Sequence, residues 1–181
     1  MTQRLKKTVV MVGMMGAGKS AVGKELASIL GVPFLDSDAE IERAANATIA
    51  EIFARDGEAF FRDKEAQVIG RLIDGEPCVL SVGGGAFLRA DTRQRISAAG
   101  VSVWLKADLD TLWTRVRRKD TRPLLKTANP YQTLAELMAA REPAYAQADL
   151  IVPTEADFAI ETTAQKVVAA LSTRPDVLAD A

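Results

Sequence analysis

Thr8-Val9-Val10-Met11-Val12-Gly13-Met14-Met15-Gly16-Ala17-Gly18-Lys19-Ser20 is the stretch that decides how this chain folds. Thr8 to Val12 is short and apolar, and it reads as a strand buried on both faces. Gly13 to Ser20 matches G-x-x-x-x-G-K-S at every position. Glycines let such a loop curl until successive N–H groups point at phosphate oxygens. A helix starting near Lys19 adds the positive end of its dipole. In that geometry Lys19 reaches the β- and γ-phosphates of a nucleoside triphosphate, and Ser20 Oγ coordinates Mg²⁺. Gly16, Ala17, Gly18, Lys19, Ser20 and Ala21 are therefore the expected nucleotide-binding residues.

Outward from this stretch, apolar runs alternate with helix-period segments, as a parallel α/β sheet requires. Lys19 to Leu30 carries a helical apolar stripe that Gly31 ends. Val32 to Leu35 reads as a second strand. Thr48 to Glu51 is a capping box that starts a helix closed by Gly57, and Glu58 to Leu72 is another helix. Cys78 to Val82 is a third strand running into Gly83-Gly84-Gly85. Asp91 is the expected cap of a helix to Ala99, Val101 to Leu105 a fourth strand, and Asp108 the cap of the next helix. Arg117 to Pro130, charged and broken by prolines, reads as a mobile surface loop. Helix signal resumes from Thr133 to Gln147, Leu150 to Val152 is a fifth strand, and Asp157 to Leu171 is a final helix. Thr173 to Ala181 lacks a core pattern and reads as a loose tail. The expectation is an α/β fold: a three-layer α/β/α sandwich with a five-stranded parallel sheet of phosphate-loop NTPase type. Residues 1–172 would form one domain, with a lid at about 117–130.

Composition removes several chemistries. The 181 residues include no histidine, which excludes Ser-His-Asp and Cys-His catalysis and histidine zinc sites, and one cysteine, which excludes an internal disulfide framework. With 23 basic and 24 acidic side chains the net charge is −1, so no broadly basic nucleic-acid surface is expected. The apolar stretch from Thr8 to Met15 is far shorter than the ~20 residues of a membrane span. The basic N-terminus lacks a small-residue cleavage site after its apolar run, so it does not read as a signal peptide. A cytoplasmic monomer is expected, with no nucleic-acid or membrane partner.

The acceptor of the phosphoryl group is read from other residues. The base-reading N-K-x-D of GTPase switches is missing, which leaves a small kinase as the natural reading. Asp36-Ser37-Asp38 closes the second strand, at the sheet edge that lines the ligand crevice in such folds. On an extended chain the two carboxylates share a face. Asp36 can then help hold the Mg²⁺ shell while Asp38 accepts a hydrogen bond from an acceptor hydroxyl. Read alone, Arg62-Asp63-Lys64-Glu65 is a solvated, salt-bridged helix face. Gly83-Gly84-Gly85 read alone is a turn, and Arg141 a residue complementing a helix dipole.

Taken in order, Gly13 to Ser20, Asp36-Ser37-Asp38, Phe61-Arg62, Gly83-Gly84-Gly85, Arg122-Pro123-Leu124-Leu125 and Arg141-Glu142-Pro143-Ala144-Tyr145 resemble the shikimate kinase family. The resemblance spans Thr8 to about Pro153. It implies ATP-dependent phosphorylation of the 3-hydroxyl of shikimate, with Mg²⁺ and ATP. It also implies substrate binding by Asp38, Arg62, Gly83, Gly84, Gly85 and Arg141. Arg122 matches the lid arginine that closes over the β- and γ-phosphates, so Lys19, Asp38 and Arg122 are the expected catalytic residues. Arg115 or Arg118 is expected on one face of adenine and Pro153 on the other. The third strand ends in Ser81-Val82-Gly83 where many phosphate-loop enzymes carry an acid, which shifts metal binding to Ser20 and Asp36. Trp104 and Trp113 read as core residues. Two alternatives stay open: a related kinase for gluconate or a nucleotide, and a nucleotide-binding regulatory module without catalysis.

Overall fold

A computed structural model describes residues 3–117 and 125–180. The strands are β1 (Gln3–Leu5), β2 (Thr8–Val12), β3 (Phe34–Asp36), β4 (Val79–Ser81), β5 (Gly100–Lys106), β6 (Leu150–Pro153) and β7 (Leu178–Asp180). The helices are α1 (Lys19–Leu30), α2 (Ser37–Ala45), α3 (Ile49–Ile73), α4 (Ala90–Ala99), α5 (Leu109–Val116), α6 (Pro130–Tyr145) and α7 (Ile160–Leu171).

The expected sheet is present: five parallel strands in the order β3-β4-β2-β5-β6. Every residue of β2 is buried, because helices cover both faces of the sheet. From β2 the chain crosses to the edge at β3, returns to place β4 between β3 and β2, and then builds outward on the other side through β5 and β6. The strand order therefore reverses beside the phosphate loop, which is where such sheets bind ligands. A second, smaller apolar cluster of Ile41, Ile52, Phe61 and Val68 lies between α2 and α3. Among the described residues, no helix is long and apolar enough to cross a membrane.

Local chemistry explains most boundaries. Gly31 ends α1 with φ 66°, and Thr48 Oγ1 accepts the Glu51 N–H at 3.1 Å. Gly57, at φ 86° and ψ 170°, breaks α3 into the two helices expected from the sequence. Asp108 accepts the Thr111 N–H at 2.7 Å. Trp104 is buried in the core, and Trp113 packs against that core, edge-on to Tyr131.

Four expectations are corrected. Helix α4 begins at Ala90 with Arg89 at its cap, and Asp91 binds the Thr92 N–H and Arg89 instead of capping. Helix α6 begins at Pro130, whose missing N–H suits a first turn, with Asn129 as its cap. Leu125, expected in a surface loop, is buried in the core. The tail is not loose: β7 pairs antiparallel with β1, and Val177 and Leu178 are buried. Lys6 N–H donates to the Val177 carbonyl at 2.7 Å, and Lys7 pairs with Asp176. Its partner strand lies at the other end of the chain, so no local pattern announces it.

Candidate active site

The nucleotide side is made of backbone. At Gly18 the loop runs at φ 97° straight into α1. Gly16 sits at φ 83° against α5, where an added Cβ would come 2.7 Å from Val116 Cγ1. Both positions suit glycine for reasons that local pattern conveys only in part: conformation, and a helix from much later in the chain. Arg115 of α5 donates to the carbonyls of Gly16 (3.1 Å) and Ala17 (3.2 Å), and to that of Glu155 (3.2 Å). In a trans peptide the N–H opposes the C=O, so binding the Ala17 carbonyl turns the Gly18 N–H the other way. Lys19 Nζ donates to the Gly13 carbonyl at 2.5 Å, arching over the loop. Ser20 and Ala21 are exposed in the first turn of α1. Pro153 is exposed at the end of β6, and Arg115 reaches the loop just beyond it.

Asp36 and Asp38 meet differently from the expectation of an extended pair. The strand ends at Asp36, which caps α2 by accepting the N–H groups of Asp38 (2.9 Å) and Ala39 (3.4 Å) through Oδ1. Asp38 then stands in the first turn of that helix, half-buried. Burial holds the Asp38 carboxyl above its ordinary value, the Asp36 charge adds to this, and Lys19 and Arg62 pull it back.

The acceptor side gathers around the triple glycine, each glycine facing a charged group. A Cβ on Gly83 would meet Asp38 Oδ1 at 3.3 Å and Glu65 Oε2 at 3.5 Å. On Gly84 it would lie 2.7 Å from Arg141 Nη1, and on Gly85 2.5 Å from Arg62 Nη2. Two carboxylates and two guanidinium groups therefore converge on a turn stripped of side chains. Arg141 is 8% exposed, deep for a guanidinium, and Arg62 lies over the Phe61 ring at 5.2 Å. Arg89 holds the backbone here, donating to Asp63 at 2.7 Å and to the Arg62 carbonyl at 3.4 Å.

Glu65 was absorbed into the solvated helix face by sequence reasoning, yet it is 3% exposed. Its Oε1 accepts from Arg62 Nη1 at 2.8 Å. Its Oε2 is buried with no hydrogen-bond partner among the described residues. Burial raises the Glu65 carboxyl, with the Arg62 hydrogen bond opposing. The signal was the i, i+3 spacing from Arg62, which surface pairs share. Tyr145, quoted in a motif but given no role, is fully buried against Gly84. Lys19, Asp36 and Asp38 come together, as do Arg62, Arg141 and Gly83 to Gly85. Arg118 and Arg122 lie outside the described residues.

The chain is similar to known proteins of one family. A family profile described as Shikimate kinase matches residues 15–172. A shikimate kinase of Cereibacter sphaeroides is 67% identical over 175 residues, covering 97% of this chain and 87% of that protein. One of Ruegeria pomeroyi is 66% identical over 174 residues, covering 96% and 89%. Among solved structures, shikimate kinase from Acinetobacter baumannii in complex with shikimate is similar with a TM-score of 0.85 at 39% identity. That match covers 93% of this chain and 94% of the other.

Proposed function

Because the chain belongs to the shikimate kinase family, we propose that this site transfers the γ-phosphoryl group of ATP to the 3-hydroxyl of shikimate, giving shikimate 3-phosphate and ADP. The observation that carries the residue assignment is the convergence of Asp38, Glu65, Arg141 and Arg62 on Gly83-Gly84-Gly85. Shikimate is a small ring with one carboxylate and three hydroxyls. Planar guanidinium groups suit its carboxylate, and carboxylate oxygens suit its hydroxyls.

The roles follow from position. The phosphate-loop N–H groups and Lys19 hold the β- and γ-phosphates and neutralise charge as the γ-phosphoryl group moves. Asp38, close to Lys19, accepts the hydrogen bond of the reacting hydroxyl. The hydroxyl oxygen attacks the γ-phosphorus as the bond from that phosphorus to the β–γ bridging oxygen breaks, ADP leaves, and the hydroxyl proton departs toward Asp38. Glu65 orients Arg62 through the bond that its Oε1 accepts at 2.8 Å. Of the two arginines expected at adenine, Arg115 or Arg118, the place of Arg115 beside the loop after Pro153 supports Arg115; Arg122 keeps its expected role on the phosphates.

Mg²⁺ fits the donor set. It needs only one or two protein oxygens and keeps several waters, so the lack of any cluster of three or more acidic, histidine or cysteine ligands among the described residues is compatible with it. Ser20 Oγ and Asp36 Oδ2 are the oxygens that would hold it, since Asp36 Oδ1 is occupied in capping α2. When bound, the ion neutralises charge between the β- and γ-phosphates. A cytoplasmic monomer without nucleic-acid or membrane partners completes the reading.

The test is ADP release with Mg-ATP and shikimate, gluconate, quinate or AMP as acceptor. Release with shikimate alone is expected. Release with gluconate or AMP would reassign Arg62 and Arg141, and ATP binding without release on any acceptor would favour a regulatory module.

A further inference from the structure

Tyr145 is the last residue of α6, four positions after Arg141, so both project from one face of that helix. The phenol is fully buried. Its hydroxyl donates to the Gly84 carbonyl at 2.5 Å, lies 4.0 Å from Met14 Sδ of the phosphate loop, and has the Arg141 guanidinium beside it. Its ring packs against Trp104 at 5.8 Å. This side chain therefore ties the triple-glycine turn to α6 and to the phosphate loop.

The peptide it holds matters more than the contact itself. The Gly84 carbonyl belongs to the same trans peptide as the Gly85 N–H, and the two point in opposite directions. Anchoring the carbonyl on the buried side turns the Gly85 N–H away from Tyr145. That N–H has no acceptor among the described residues. The peptide lies between Arg141, which faces Gly84, and Arg62, which faces Gly85. Neither residue carries a Cβ; the turn around them is closed by the Ala86 N–H on the Gly83 carbonyl at 3.1 Å, and within it the bond from Tyr145 is the one that the Gly84 carbonyl itself accepts.

We propose that Tyr145 is a positioning residue for substrate recognition: its hydroxyl sets the Gly84–Gly85 peptide so that the Gly85 N–H completes, with Arg62 and Arg141, a three-donor clamp on the acceptor's carboxylate. The inference rests on the assignment of Arg62 and Arg141 to that carboxylate. Tyr145 acts through the peptide and touches no substrate. Burial holds its hydroxyl above its ordinary value, so it stays a donor throughout the working pH range.

Tyr145→Phe keeps the ring and removes the donor. Its KM for shikimate should rise about tenfold, the worth of one hydrogen bond to a charged group, while kcat and the KM for ATP stay within about twofold of the parent. With shikimate carboxamide, which has no carboxylate to clamp, parent and variant should behave alike. An unchanged KM, or the same loss on both acceptors, overturns the proposal and leaves Tyr145 a packing residue. If the parent itself does not distinguish shikimate from the carboxamide, the arginine assignment fails, and the role of Tyr145 with it. Should the variant not fold, the wild-type protein labelled at tyrosine answers the same question. The hydroxyl proton of Tyr145 should shift on adding shikimate and hold still on adding the carboxamide; no shift with shikimate overturns the proposal.

Discussion

The two halves of this site are built on opposite plans. The nucleotide side is one contiguous run, Gly13 to Ser20, whose working groups are backbone N–H groups and a lysine placed by the strand–helix turn. The acceptor side collects Asp38 from α2, Arg62 and Glu65 from α3, the glycines after β4 and Arg141 from α6. Its working groups are charged side chains, two of them, Glu65 and Arg141, buried. Phosphate is common to all nucleotides, so a local peptide geometry suffices to bind it. One particular hydroxy acid needs donors and acceptors spaced to its own shape, and only distant segments supply those spacings.

Lys19→Met should break the nucleotide half most severely, with kcat lower by about 10³-fold and ATP bound more weakly. Asp38→Asn is its counterpart, losing about 10²-fold in kcat with ATP affinity kept. Steady-state kinetics with nucleotide titration separates the two. Equal loss of ATP affinity in both variants would erase the distinction between the halves.

Gly85→Ala sharpens the comparison at lower magnitude. Gly85 has φ −90°, which alanine adopts freely, so the backbone is not strained. The new methyl would meet the flexible end of Arg62 at 2.5 Å and push the guanidinium aside. We expect kcat/KM for shikimate to fall by about 10²-fold, as a displacement near 1 Å can cause. The thermal midpoint and the KM for ATP should hardly move. A large fall in thermal midpoint instead would show that the turn is a folding element before it is a binding one.

The smallest effect concerns stability. The Glu65 carboxyl is held above 4.5 in the folded chain, chiefly by burial. The folded state therefore binds this proton more tightly than the unfolded state, and protonation favours folding. The contribution is present below the ordinary value and is lost as pH rises through the raised one. Glu65→Gln lacks this loss, so its stability relative to the parent should improve from pH 4 to neutrality. Urea unfolding at both ends of that range measures it. A constant difference would mean that the ion pair with Arg62 cancels the burial.

How much was legible follows the same division. The phosphate loop, its strand and helix, the capping box at Thr48 and the break at Gly57 are set by near neighbours, and they stand where local chemistry puts them. Asp36 and Asp38 were found, but their geometry was not: a cap turns the chain into helix one residue after the strand, and no alternation pattern shows that. Arg62 was found through the order of motifs, whereas Glu65 beside it looked like any surface acid. What buries it is the approach of the triple-glycine turn, a separate segment.

By itself, then, the sequence determined the strand–loop–helix unit, the parallel sheet and the kind of molecule whose phosphates it cradles. Those depend on residues a few positions apart, where backbone sterics and hydrogen bonding act directly. Only the tertiary structure decided that Tyr145 anchors Gly84, that Arg115 backs the phosphate loop, that Glu65 is buried, and that the last residues pair with the first. Each of these is a contact between segments far apart along the chain. Packing of the whole core selects such contacts, and no local pattern encodes them.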